Sequence, residues 1–202
     1  MPRVVDHEQR RRDLGEAVWR VIVRDGVNRA SVRTVAREAG VSPGSLRHYF
    51  ATQAELLAFA MRQVDTRVRA RIARIDAEGA PAETVLRYCV EVLPLDDERR
   101  TEAEVWLALT GAGLSDPALR QVRDETDAGI HELCSSLTWA MVRAGLLTVD
   151  RAEVEASRLW ALLDGLALQL LLSPGRTTPD GALVVLRHHL ADLLPTVGHP
   201  GS

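Results

Sequence analysis

Apolar residues recur at helical spacing along almost the whole chain, and strand signals are nearly missing. No Asn-Gly or Asp-Gly turn lies between alternating apolar runs. The pattern predicts an all-α fold of about nine helices. A first helix over Asp6–Arg24 puts Leu14, Ala17, Val18, Val21 and Ile22 on one face and ends at Gly26, with Glu8–Arg12 and Glu16–Arg20 as i,i+4 pairs elsewhere. Ser31 caps a short second helix, with Val32, Val35, Ala36 and Ala39 inward and Gly40 as a left-handed stop. Ser42 caps a third helix with Pro43 in its first position, where the missing N–H costs nothing; Leu46, Tyr49 and Phe50 form its inner side. A Thr52–Glu55 capping box opens a fourth helix, expected to reach about Ala77.

Further helix starts follow at Pro81, after Asp96, and at Ser115–Asp116, where one long helix is expected to run to Gly145 with Gly129 as a point for a bend. Asp150 and Glu153 make a cap-like pair ahead of Val154–Leu172. Ser173-Pro174-Gly175 breaks the chain, and Thr178-Pro179 opens a last helix that stops before Pro195. The helix over 154–172 is apolar almost all round, through Val154, Leu159, Trp160, Leu162, Leu163, Leu166, Leu168, Leu170 and Leu171. Such a helix must be buried on several sides, which a contact between two copies would achieve.

Composition narrows the class. In 202 residues, 46% hydrophobic and 26% charged residues describe a core-forming chain rather than a disordered one. No apolar run approaches the ~18 residues that span a bilayer, and the Arg-rich start lacks a signal-peptide core, so a cytoplasmic protein with no membrane partner is expected. Cys89 and Cys134 stand far apart with no CxxC, which offers neither a disulfide framework nor a zinc finger. The net charge of -3 conceals an asymmetry. Residues 1–50 carry ten Arg against six acidic residues, while the remainder carries fifteen Arg against twenty-two. The basic part is at the front, where a polyanion would be met.

Residues 31–50, SVRTVAREAGVSPGSLRHYF, carry the functional signal. Ala36 is small where two helices must cross, Gly40 supplies positive φ for a tight turn, and Leu46 packs back onto the first of the pair, with Val41 in the turn. That spacing is a helix-turn-helix. Its second helix presents Pro43, Gly44, Ser45, Arg47 and His48 outward at its N-terminal end, the end that reads base edges in the major groove. Small residues there admit close backbone approach, and the helix dipole favours phosphate. Arg33 reaches a guanine edge or a phosphate; Arg47 and Tyr49 suit flanking phosphates.

Residues 10–57 resemble the DNA-binding domain of the TetR family of bacterial repressors. The match is the amphipathic helix ending in Gly26, then Ser31-Val-Arg-Thr-Val-Ala36, Ala39-Gly-Val-Ser42 and Gly44-Ser-Leu-Arg-His-Tyr-Phe50, with Leu56-Leu57 beyond. The family often has a basic residue near the start of the fourth helix for a phosphate; here Ala51-Thr52-Gln53 stands instead, and Gln53 retains a donor without the charge. The resemblance implies a homodimer with an N-terminal DNA-binding domain (1–51) and a larger C-terminal ligand-binding and dimerisation domain (52–202). Its partners would be a double-stranded DNA operator and a small-molecule effector, and the last two helices of each subunit would form the dimer contact. The DNA-facing set is then Ser31, Arg33, Pro43, Gly44, Ser45, Arg47, His48, Tyr49 and Gln53. Leu93-Pro94-Leu95-Asp96 through Glu104-Val-Trp106-Leu is similar to the C-terminal domains of the betaine-regulator-like branch.

The other features weigh less. Trp106, Trp139 and Trp160 suit a core or the walls of an apolar cavity, and Phe59, Gln63, Thr110 and Thr138 offer further wall and polar groups facing a ligand. Asp127, His131 and Cys134 lie at i, i+4 and i+7 on one face. Three such groups without an outer shell suit packing better than metal, and His131 and Cys134 join the candidate ligand contacts. His188 and His189 point about 100° apart and form no chelating pair. Asp96-Asp97-Glu98-Arg99-Arg100 puts Arg where an acidic magnesium cluster needs its last carboxylate, and no G-x-S-x-G, P-loop or H-E-x-x-H occurs, so neither an enzyme nor a cofactor is expected. The competing reading is a helical ligand-binding or interaction protein that has lost DNA binding; the retained Arg33, Arg47 and Tyr49 argue against it.

Overall fold

The computed structural model describes residues 3–76 and 78–193. Nine α-helices and two 3-10 turns occur among them, with no strand: α1 (Arg3–Asp25), α2 (Val32–Glu38), α3 (Pro43–Arg47), α4 (Gln53–Ile72), α5 (Pro81–Val90), α6 (Asp97–Ala112), α7 (Pro117–Arg143), α8 (Ala152–Leu172) and α9 (Pro179–Leu193). Contacts divide the chain into two compact units. One takes in the chain up to Arg69 together with Thr101–Thr126; the other takes in Ala70–Arg100 and the chain from Asp127 on.

Local signals set most boundaries. Ser31 Oγ accepts from the Thr34 N–H at 3.2 Å and Ser42 Oγ from the Ser45 N–H at 3.0 Å, so both short helices are side-chain capped. Asp96 Oδ1 caps α6 through the Arg99 N–H at 2.8 Å, and Asp116 Oδ1 caps α7 through the Ala118 N–H at 2.9 Å. Thr52 Oγ1 accepts from the Glu55 N–H at 3.1 Å; the returning Glu55 carboxylate takes the Ala51 N–H at 2.9 Å, one residue before the cap. Gly26 and Gly40, at φ 84° and 66°, make the turns that close α1 and α2.

Three expectations are corrected. The fourth helix stops at Ile72, because Arg74 and Ile75 bond three residues back and Asp76 Oδ1 then takes the Glu78 N–H in a tight turn; Ala77 itself lies outside the described residues, as does Pro195. Helix α7 stops at Arg143, two residues short of Gly145, and is continuous through Gly129. The Asp150–Glu153 pair does not cap α8. A 3-10 turn over Val149–Arg151 leads into that helix, and the Glu153 carboxylate instead accepts from Trp139 Nε1 at 3.4 Å.

The core of the first unit is built on the expected face of α1, where Leu14, Ala17, Val18, Val21 and Ile22 are all buried. They meet Val35 and Ala36 of α2, Leu46 of α3, Phe50, and Leu56, Leu57, Ala60 and Met61 of α4. Trp19 is buried with them and donates Nε1–H to the Ala60 carbonyl at 2.9 Å, tying α1 to α4. The core of the second unit joins Val85, Leu86 and Cys89 of α5, Cys134, Leu137 and Met141 of α7, Leu159, Leu163, Leu166 and Leu170 of α8, and Leu186, Leu190 and Leu193 of α9. Arg100 donates to the carbonyls of Leu170 and Leu171 at 3.0 and 3.3 Å, satisfying acceptors that the end of α8 leaves open.

Helix α8 carries two opposed apolar stripes. One, through Ala156, Leu159, Leu163, Leu166 and Leu170, enters the core. At 100° per residue the opposite side brings Val154, Ala161, Leu168 and Leu172 into line, and all four are exposed. Val184 and Val185 of α9 are exposed as well.

Candidate nucleic-acid interface

Helices α2 and α3 are too short to stand alone and owe their placement to burial. Val35, Ala36 and Leu46 are fully enclosed under α1. The backbone of Val41 in the connecting turn donates to the Ala36 carbonyl at 2.9 Å. With the apolar side of α3 spent in this way, its polar side faces out. Pro43, Gly44, Ser45, Arg47 and His48 are all exposed, and so is Arg33 on α2. Four of the five residues of α3 are thus exposed, Pro43, Gly44 and Ser45 at its N-terminal end and Arg47 at its last position, with the C-cap His48 exposed beyond them.

Charge around this surface is sorted. Glu38 at the end of α2 accepts from Arg20 Nε and Arg24 Nη1, each at 2.9 Å, and Arg24 also grips Asp25. The hydrogen bonds from Arg20 and Arg24 hold the Glu38 carboxyl below the usual carboxylate range, and the one from Arg24 does the same for Asp25. Arg33 and Arg47 have no such partner among the described residues. The cations on the reading side are available to an incoming anion, while those behind it lock α1 to α2.

The remaining predicted contacts are placed as follows. Ser31 is half-buried and bonded to Thr34 through both cap and hydroxyl, the latter at 2.9 Å. Gln53 is exposed, and one of its amide protons is already given to the Ala30 carbonyl at 3.1 Å. Tyr49 is half-buried with the His7 ring against it, centroids 4.8 Å apart. His7 was not legible from its local sequence, because a stack between the start of α1 and Tyr49, two residues beyond α3, is visible only once both are folded. The cluster Arg10-Arg11-Arg12 divides: the Arg11 guanidinium lies over the rings of Phe50 and Phe59 at 4.8 and 4.9 Å, and Arg12 donates to Gln9 at 2.8 Å. The expected Glu16–Arg20 pair gives way to longer-range partners, since Glu16 accepts from Arg67 at 2.9 Å.

The same motif and its surroundings recur in known proteins. Residues 16–59 match the family described as bacterial regulatory proteins, tetR family, and residues 81–195 match the BetI-type transcriptional repressor C-terminal domain. The chain belongs to the TetR family. It is 41% identical to the HTH-type transcriptional regulator PksA of Bacillus subtilis over 96% of this chain and 94% of that one. A transcriptional regulator from Rhodococcus sp. Rha1 has the same fold, with a TM-score of 0.81 and 31% identity over 93% of this chain and 99% of that one. A regulator from Saccharomonospora viridis, solved in complex with choline, gives 0.78 and 25% over 92% and 95%. TetR-family proteins bind operator DNA and small-molecule effectors, and the family and these relatives place the chain among transcriptional regulators rather than enzymes.

The effector-facing candidates fall into two groups. Phe59, Gln63, Trp106 and Thr110 belong to the first unit; His131, Cys134 and Thr138 to the second. Phe59 and Trp106 are partly buried against the first core. Gln63 donates to the Arg12 carbonyl at 3.2 Å, while its Oε1 and the Thr110 hydroxyl are buried without a partner among the described residues. His131 meets Trp160 edge-on at 5.3 Å. Cys134 is wholly enclosed, and burial with the nearby Asp164 charge pushes its thiol up to about 12; Thr138 gives its hydroxyl to the Ser135 carbonyl at 2.9 Å. Among the described residues no cluster of three or more His, Cys, Asp or Glu is arranged to hold a metal ion, and no helix is long and apolar enough to cross a membrane.

Proposed function

We propose that the protein is a homodimeric, ligand-responsive repressor that acts in the cytoplasm and is released from a palindromic operator by a small molecule. The observation that carries this reading is the capped α3, whose buried Leu46 turns Pro43, Gly44, Ser45, Arg47 and His48 outward, together with an exposed Arg33 that has no partner among the described residues. Residues 1–51 form the DNA-binding domain. Ser31, Arg33, Pro43–Ser45, Arg47, His48, Tyr49 and Gln53 contact the duplex, with α3 in the major groove and half-sites roughly one turn, ~34 Å, apart or somewhat more.

Residues 52–202 bind the effector and join the subunits. The exposed apolar stripe of α8, with Val184 and Val185 of α9, supports a twofold contact through these helices. The choline found in a similar structure supports a small-molecule effector for this chain too. An effector lowers operator affinity only by its differential affinity for the two forms of the dimer; ~100-fold supplies about 2.7 kcal/mol.

Fluorescence anisotropy with a labelled duplex from the region upstream of the protein's own gene, against random-sequence competitor across a salt series, tests the reading. Sequence-selective binding with a steep salt slope is expected. Failure there, and again in a selection from random DNA, would overturn it in favour of a helical interaction protein.

A further inference from the structure

We infer that His7 is a positioning residue for DNA binding: its ring holds the Tyr49 side chain so that the phenol hydroxyl meets a phosphate of the duplex backbone. The inference rests on the regulator reading and adds the start of α1 to the surface that engages DNA.

Tyr49 lies beyond the last residue of α3, so no helix fixes its side chain. Its backbone N–H reaches back to the Leu46 carbonyl at 2.9 Å. Phe50, next along, is wholly enclosed and stacks on Phe59 with centroids 5.1 Å apart. The main chain is thus anchored around a half-buried ring whose hydroxyl has no partner among the described residues. A phenol O–H is a neutral donor that suits a phosphate oxygen, and such contacts set register on the duplex rather than read its sequence. What these anchors leave open is the direction in which the ring points.

His7 closes that freedom from a different element. It sits in the second turn of α1, and its ring lies against that of Tyr49 with 4.8 Å between centroids and 36° between planes. Aromatic pairs at this separation contribute beyond the area they bury. The His7 side chain nevertheless stays 52% exposed, so the core gains little from it. Its Nδ1 stands 3.9 Å from the Glu8 carboxylate, beyond hydrogen-bond reach. A carboxylate that close offsets any charge on the imidazole, which leaves the flat ring rather than the proton as what His7 offers. Further along the same helix, Arg20 and Arg24 grip Glu38 of α2. Helix α1 therefore holds the helix-turn-helix at two places, α2 through charge and Tyr49 through a ring. A side chain ordered before binding loses less rotamer freedom on the DNA, so the stack raises affinity without touching the duplex.

The test uses the full chain in competition anisotropy with the duplex it selects, from the upstream region or from random DNA. His7→Ala should weaken binding about fivefold, by the same factor on operator and on random duplex, because a phosphate contact carries no sequence information. Tyr49→Phe keeps the ring, removes the hydroxyl and should cost about tenfold. In the Tyr49→Phe background, His7→Ala should change affinity by less than about twofold, since no hydroxyl is left to aim. His7→Phe keeps a ring against Tyr49 and should bind within about twofold of the wild type. No loss from His7→Ala, an equal loss with and without the Tyr49 hydroxyl, or a loss that His7→Phe does not restore overturns the proposal. Loss of the helical circular dichroism signal in His7→Ala overturns it too, by making His7 part of the scaffold. A wild-type chain that binds no duplex refutes the regulator reading and this role with it; one that binds duplex while His7→Ala binds equally well refutes the positioning role alone.

Discussion

In the proposed homodimer, replacing Leu172 with Asp should separate the two subunits without unfolding either. Leu172 is 68% exposed at the end of α8, on the stripe shared with Val154 at 61% and Leu168 at 44%. Complete burial of a leucine side chain is worth about 2 kcal/mol, so covering the exposed two-thirds contributes about 1.4 kcal/mol. Twofold symmetry puts two copies in one interface, which makes the loss about 3 kcal/mol, or roughly a hundredfold in the dissociation constant. Two carboxylates forced into the same contact raise it further. Sedimentation velocity over a micromolar dilution series should therefore show monomer at concentrations where the wild type is expected to sediment as the proposed dimer, with the helical circular dichroism signal retained. Leu163→Asp provides the contrast: Leu163 is enclosed in the core of its own unit, so the same charge there should unfold the chain. A Leu172→Asp protein that sediments as the wild type does would remove α8 from the interface. One that unfolds like Leu163→Asp would show that Leu172 belongs to the core.

Arg33→Ala should weaken operator binding by about 1–3 kcal/mol and narrow the gap to random DNA in competition anisotropy; unchanged discrimination would refute base reading by Arg33. Ser42→Ala removes the cap of α3 and should cost about 1 kcal/mol in urea unfolding, with a matching loss of duplex affinity; an unmoved midpoint would mean the cap is not needed. Burial, reinforced by Arg158, holds the His189 imidazole below its ordinary value, against the pull of Glu155 and Asp192. The folded chain thus resists protonation more than the unfolded one, so stability present above the unfolded pKa is lost as pH falls through it toward the lowered value. His189→Gln should flatten the drop in urea midpoint between about pH 7 and 5; an identical drop in the variant would acquit His189.

What could be read in the sequence was what short-range chemistry decides. Ser31, Ser42 and Asp116 act on N–H groups two or three residues away, and the inward residues of α1 follow from period alone, so these helices and the outward face of α3 were legible. Misreadings arose where a local rule met a distant competitor. Glu16 sits correctly spaced for Arg20, yet Arg67 claims it from another helix, and Arg20 turns to Glu38. Arg11 stands in a run of three arginines that says nothing of Phe50 and Phe59, the rings its guanidinium covers in the fold. The cavity lined by Val85, Tyr88, Leu133 and Leu137 draws its walls from two helices some fifty residues apart, and no window along the chain contains both. Helix α8 lies between these cases: its all-round apolarity was plain, but only the fold shows which stripe is spent on the core.

The brevity of α3 has a consequence for how such a regulator is rewired. Five residues make little more than one turn, held by one hydroxyl below and one leucine behind. None of its outward residues contributes to that hold. Pro43 aside, the reading surface is thus nearly decoupled from the scaffold. Gly44, Ser45, Arg47 and His48 can drift or be exchanged as a block, provided that Ser42 and Leu46 stay, and operator preference can change at almost no expense in folding. A lineage of paralogues could diversify its targets through four positions while the rest of the unit stands still.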